Sequence, residues 1–180
     1  GGFFKSSLFG QKKLKIDTIL NLTHGADGED GILASMFNFF DIPFIGPRVE
    51  ACSVSCNKFL TKMYANELDV KTIDFKHYNQ GDEVKIDKYP VIIKPSRLGS
   101  SIGVSIVKSE AELEYALDVA FEFDNDIIIE PFIDGIKEYN LAGTKINEDF
   151  IFSIVEEPQK EEFLDFEKKY MDFSRTEQVL

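Results

Sequence analysis

Apolar and polar positions switch repeatedly between a period near two and a period near 3.6, and each switch marks an element. Residues 15–22, KIDTILNL, read as a strand that ends at His24. A helix is expected next, with Glu29 and Asp30 in its first turn, where acids favour the helix dipole. Ile32, Leu33, Met36, Phe37 and Phe40 then recur at the spacing of a core-facing helix. IPFIGP (42–47) is a short strand closed by Gly46-Pro47, so these three elements form a β-α-β unit, the tail of a doubly wound domain.

From about Ser55 a second helix is expected to turn Phe59, Leu60, Met63 and Tyr64 inward and Lys58 and Lys62 outward. The polar run Tyr78 to Lys88 reads as a loop, PVIIK (90–94) as a strand, PSRLGSS as a glycine–serine loop and IGVSIV (102–107) as another strand. Ser109 and Glu112 have capping-box spacing ahead of a helix that buries Leu113, Ala116, Leu117 and Ala120. DIIIEPFI (126–133) is a strand; EYNLAGTK and DFIFSIV are two more around Ile146-Asn147-Glu148, and the acidic stretch EEPQKEEFLDFEKKYMDF is too polar for core. The fold class is therefore mixed α/β and α+β. Its expected parts are residues 1–46 as a remnant of a doubly wound domain, 47–134 as a small α+β unit, and 135–180 as the start of a third sheet.

Charge narrows the partners. A formal net charge of −12 over 180 residues argues against nucleic acid, which needs a basic face, but not against a small anion held by a few converging lysines. No apolar run approaches the roughly 18 residues of a membrane span, and no leader precedes Gly1, so neither membrane nor export is expected. Cys52 and Cys56, four apart in CSVSC, match neither CxxC nor a disulfide framework; reduced thiols and a cytoplasmic location are expected. A start without Met reads as an internal piece of a longer protein.

Three stretches carry candidate chemistry. PSRLGSSIG joins two adjacent strands, so it is not a Walker loop, which leads from strand to helix. Gly99 and Gly103 let backbone N–H groups approach an anion, Ser96, Ser100 and Ser101 add hydroxyls, and Lys94 ends the preceding strand within reach of the same anion. An exposed flexible hairpin with a surface lysine accounts for the same letters. Glu130, followed by Pro131-Phe132-Ile133, ends a fully apolar strand; it is either an adenine edge or an ordinary strand end. HGADGEDG (24–31) lies at the carboxyl end of a strand, where open α/β sheets bind ligands. It fails as a calcium loop because the fifth position from Asp27 is Gly31, and it fails as a zinc site because the only other histidine is His77, elsewhere and without partners. A histidine beside a helix N-terminus remains, with a capped helix and an incidental His24 as the plain alternative.

Taken in order, HGxxGEDG after a strand, Lys58 on the next helix, VIIKPSRLGSSIGV, IIIEPFI and FEKKY resemble the D-alanine–D-alanine ligases of the ATP-grasp superfamily, from about Lys15 to Tyr170. The resemblance implies ATP between two antiparallel sheets, and D-alanine as both acid and amine. The first carboxylate attacks the γ-phosphate and the second amine attacks the resulting acyl phosphate, a step in peptidoglycan precursor synthesis. By similarity, Lys58 and Lys94 would meet the ATP phosphates with Ser101 and the loop amides above them, and Ser100 would join a lid network with Tyr170. Glu130, Phe132 and Ile133 would face adenine, and Glu138 the ribose, one residue further along than in some relatives. Lys169 and Tyr170 would lie on the ω-loop near the acceptor, His24 beside the D-alanine subsite, and Glu29 and Asp30 behind it.

Two family motifs are not found in the 180 residues: the glutamate-containing motif before residue 15, and the C-terminal Arg-x-Asp…Glu-x-Asn cluster for Mg2+ (or Mn2+). The metal is therefore expected on residues beyond 180, and the chain by itself is expected to be inactive. Another ATP-grasp carboxylate–amine ligase and a non-catalytic nucleotide-binding module are the rival readings. The oligomeric state is open, a homodimer included.

Overall fold

The computed structural model describes residues 3–7 and 10–157. Two compact units divide the chain, Gly1–Pro131 and Phe132–Leu180.

The first unit opens with an antiparallel hairpin, β1 (Phe4–Ser7) and β2 (Gly10–Lys13). The expected β-α-β unit follows: β3 (Ile19–Leu20) pairs in parallel with β4 (Phe44–Ile45) across α1 (Ile32–Phe39). Ala34, Phe37 and Phe44 are its buried centre, with Ile19, Leu33 and Met36 packed around them. The strand expected over 15–22 shrinks to two residues because β4, its partner among the described residues, is two residues long. Leu20 and Leu22 are left exposed as a result. Glu29 and Asp30 precede α1 rather than filling its first turn: Gly31, at φ 99°, is the cap residue.

A helix over Val49–Cys56, α2, escaped the sequence reading, which began a helix at about Ser55. Asn57 interrupts it at an extended φ/ψ of −108°/111°, and its side chain accepts from Leu60 N at 3.1 Å to start α3 (Lys58–Glu67). The expected orientation of α3 holds for Phe59 and is reversed for the rest. Leu60, Met63 and Tyr64 are exposed, whereas the side chain of Lys62 is 15% exposed and Phe59 packs inward on His77. Apolar count favoured one face of α3, but the sheet beneath it offers charged partners, and pairing them decides the orientation.

A four-stranded antiparallel sheet ordered β5-β8-β6-β7 dominates this unit. Its strands are β5 (Lys76–Asn79), β6 (Val91–Pro95), β7 (Ser105–Val107) and β8 (Asp126–Pro131). Tyr78 and Asn79, expected in a loop, belong to β5: KHYN has no apolar pattern of its own and is strand because Ile127–Ile129 of β8 offer it a free edge. Residues 102–104, expected in the next strand, lie outside it, with Ile102 and Gly103 in a turn. On one face of the sheet Val91, Ile93, Val107, Ile127 and Ile129 pack against Ala116 and Ala120 of α4 (Leu113–Phe121). Two alanines one turn apart let the helix sit close, and each buried Ile is worth roughly 1.5–3 kcal/mol. The expected capping box does not form: Ser109 makes no side-chain cap, and Glu112 Oε2 accepts from Lys108 N at 2.7 Å rather than from Ser109 N.

In the second unit, β9 (Gly143–Ile146) and β10 (Asp149–Phe152) form a hairpin through Asn147, at φ 55°. The turn lies where the sequence put it, and both strands are shorter than EYNLAGTK and DFIFSIV. Among the described residues no helix is long and apolar enough to cross a membrane.

Candidate functional site

Side-chain alternation along β6 separates core from chemistry. Val91, Ile93 and Pro95 are buried, and Ile92 and Lys94 point to the opposite face. In register, Ile92 lies beside Glu130 and Lys94 beside Ile128, which in turn lies beside His77 of β5. The sheet face away from α4 thus gathers Lys94, Glu130 and His77, and α3 sends Lys58, Phe59 and Lys62 to it.

Glu130 is the hub. Its side chain is 3% exposed, and its two oxygens are shared between two ammonium groups: Oε1 with Lys62 Nζ at 2.6 Å and Oε2 with Lys94 Nζ at 2.5 Å. Burial alone would push this carboxyl up, but the hydrogen bonds and charges of Lys62 and Lys94 outweigh it and hold the group ionised below its usual range. Lys58 Nζ donates to Pro95 O at 2.8 Å and to Leu98 O. Burial first, then the charge of Lys94, lower its affinity for the proton. Lys58 and Lys94 are therefore near neighbours; Lys62 and Lys94 share Glu130, Lys58 lies close by on two carbonyls, and the neighbouring Asp124 and Asp126 are taken by Arg97. This is a cationic excess inside an acidic chain.

The glycine–serine flap leaves this patch from a clamped root. Lys58 N donates to Ser96 O (2.8 Å), Ser96 N to Asp126 O (3.1 Å) and Arg97 N to Asp124 Oδ2 (2.9 Å), and Cys56 Sγ lies 3.4 Å from Arg97 O. The Arg97 guanidinium spans Asp124 and Asp126, 2.6 Å from Asp126 Oδ2. Beyond the root, Ser100 and Ser101 take φ of 54° and 60°. Gly103, at φ 68°, could not carry a side chain: a Cβ there would stand 2.7 Å from Pro95 Cγ and 2.8 Å from Phe123 Cδ2.

Asp126 also meets His77 Nε2 at 3.1 Å, and His77 stacks on Phe59 with centroids 4.1 Å apart. The expectation that His77 has no partners is thus corrected. Burial raises the Asp126 carboxyl. His77, Arg97 and the Ser96 hydroxyl, which faces it at a geometry too poor for a regular hydrogen bond, together carry it below the usual range. Asp126 and Glu130 both have depressed folded-state values, so the stability they supply is complete above their ordinary values of 3.8 and 4.5 and is lost as pH falls through the lower folded ones. Melting temperature should therefore drop steeply below about pH 4, and less steeply in Asp126→Asn. An unchanged slope in that variant would remove Asp126 from this role.

HGADGEDG folds on its own acids. Glu29 Oε2 accepts from Gly25 N (2.8 Å) with Oε1 3.5 Å from His24 Nδ1; Asp30 accepts from Asp27 N and from Ile32 N, both at 3.0 Å. The His24 ring is 95% exposed. A Cβ on Gly31 would stand 3.3 Å from Cys52 Cβ, so the end of this loop packs on α2, which finishes two residues before Lys58; burial, then Asp30 and Glu29, raise the Cys56 thiol there. The strand-end loop and the flap root are brought to one neighbourhood. In the second unit Phe132 is half-buried and Ile133 and Glu138 are exposed; Lys169 and Tyr170 lie outside the described residues. The roles of Lys62, Arg97, Asp124 and Asp126 went unread, although Lys58 and Lys62 are one helical turn apart and Asp124 and Asp126 flank a strand start.

The family profile for the D-ala D-ala ligase C-terminus matches residues 65–180, more than half of the chain. The chain belongs to the D-alanine–D-alanine ligase family. The D-alanine–D-alanine ligase of Sulfurovum sp. (strain NBC37-1) is 65% identical over 99% of the chain and 52% of its own length. The crystal structure of the Helicobacter pylori ligase superposes with a TM-score of 0.79 at 51% identity, covering 88% of this chain and 52% of that one. A Bacillus anthracis ligase solved with ATP matches at a TM-score of 0.63 and 24% identity, over 79% of this chain and 54% of that one, a likeness of fold alone. The fold is ATP-grasp. The chain spans about half the length of the curated relatives it matches.

Proposed function

We propose that the protein works as an ATP-dependent ligase that joins two D-alanines through an acyl phosphate, supplying D-alanyl-D-alanine for peptidoglycan precursors in the cytoplasm. The observation that carries this is the gathering of Lys58, Lys62 and Lys94 about Glu130 on one sheet face, with the neighbouring Asp124 and Asp126 taken up by Arg97, beside a flap whose backbone bends through Ser100, Ser101 and Gly103. A cationic excess in a partly desolvated site suits a polyphosphate, and phosphoryl transfer asks the protein mainly for positioning and charge neutralisation. Lys94 and Lys58 take the phosphates, and the flap amides with Ser101 close over them. Phe132, Ile133 and Glu138 face the nucleoside, while Glu130, expected there too, has both oxygens taken by Lys62 and Lys94 and anchors those lysines instead. His24 with Glu29 behind it receives the D-alanine carboxylate, Lys169 and Tyr170 serve the acceptor side, and Ser100 joins the flap to Tyr170 in a lid network. Family membership supports these assignments.

Mg2+ belongs to the family's reaction, but the described residues do not fit it: no group of three or more His, Cys, Asp or Glu is placed to hold a metal.

The test uses the full product of the reading frame that contains this chain, with ATP and Mg2+. Phosphate release is expected with D-alanine and not with L-alanine, alongside D-alanyl-D-alanine by mass. Release with D-lactate in excess of D-alanine, or with an unrelated acid, would replace this reading with another carboxylate ligase. ATP binding without turnover on any of them would leave a nucleotide-binding module.

A further inference from the structure

Among the site lysines, Lys62 and Lys94 are held very differently. Lys62 Nζ is fixed at three points: Glu130 Oε1 at 2.6 Å, the Ile73 carbonyl at 2.9 Å, and the face of the Phe75 ring at 5.2 Å. Among the described residues, Lys94 Nζ is anchored by Glu130 Oε2. Its side chain is also the more exposed of the two, 26% against 15%. An ammonium that meets a phosphate must loosen its present partner. Here that partner is a carboxylate with 3% exposure, and a buried charge left alone is costly.

We propose that Lys62 is a positioning residue for nucleotide binding: it keeps Glu130 neutralised through Oε1, so that Lys94 can turn from Oε2 to the phosphates without stranding a buried carboxylate. This rests on the phosphate site proposed above and adds a division of labour within it. Lys94 is the exchangeable cation and Lys62 the permanent one. The pairing is geometric, since each ammonium has its own oxygen and releasing one leaves the other contact intact. Without Lys62 the carboxylate would have Lys94 alone, and every phosphate bound would compete with it.

The experiment titrates ATP and adenosine by calorimetry into the full reading-frame product and its variants. Adenosine shares the base and sugar but has no phosphate for Lys94. K62M should weaken ATP tenfold or more and leave adenosine within about twofold. Adding E130Q, which removes the charge that holds Lys94 back, should restore ATP to within about threefold of the parent. If K62M fails to fold, K62Q keeps a hydrogen bond to Oε1 without the charge and is expected to show the same signs. ATP affinity unchanged in the Lys62 variant overturns the proposal. So does parallel loss of ATP and adenosine, which marks a merely structural lysine, or failure of E130Q to rescue. A parent protein that binds no ATP at all sinks the phosphate site itself, and the inference with it.

Discussion

Lys94→Ala should cut the ligase rate by roughly 30- to 1,000-fold, on the order of 2–4 kcal/mol of lost transition-state stabilisation. The ammonium sits at the end of β6, on the face opposite the core, so its removal leaves the packing of Val91, Ile93 and Pro95 intact. The loss should therefore appear in kcat as well as in the KM for ATP, with melting temperature little changed. Steady-state kinetics of the full reading-frame product against ATP, at saturating D-alanine, would read it. A rate within threefold of the parent would take Lys94 out of the site.

Glu130→Ala should act first on stability. It leaves two ammonium groups, 15% and 26% exposed in their side chains, facing each other without the carboxylate between them. Breaking a buried pair from one side costs about 3 kcal/mol, and a cavity adds to it. For a chain of this size that is a fall in melting temperature on the order of 6–12 °C. Glu130→Gln keeps the shape and should lose less. Thermal unfolding of the three proteins at neutral pH decides it: equal melting temperatures would show that the triad contributes nothing to folding.

Elements whose own letters carry the signal were legible. The apolar runs of β6 and β8, the 3.6-residue pattern of α1 and α4, and the turn at Asn147 lie where periodicity places them. What escaped was set by partners distant in sequence. KHYN becomes strand only because β8 has an edge to pair, and the Tyr78 and Asn79 backbone is spent there. α3 turns its lysines inward because Glu130, 68 residues further on, is buried opposite Lys62, and the carbonyls of Pro95 and Leu98 receive Lys58. Hydropathy treats a lysine as surface, and nothing local to KFLTKMYANE says otherwise. The flap was read from its glycines and serines, yet its clamp of Arg97 on Asp124 and Asp126 depends on the loop's return past α4. The motif order identified the family where single elements could not.

Ile93 and Lys94 are successive residues of one strand, the first fully enclosed against α4 and the second paired with Glu130 on the other side. A methyl group lost on the enclosed side is a small displacement on the open one, because a pleated backbone passes a tilt from one residue to the next. Selection for altered nucleotide preference should accordingly turn up substitutions at Ile93, Ile129 or Ala116, all buried on the helix side of the sheet.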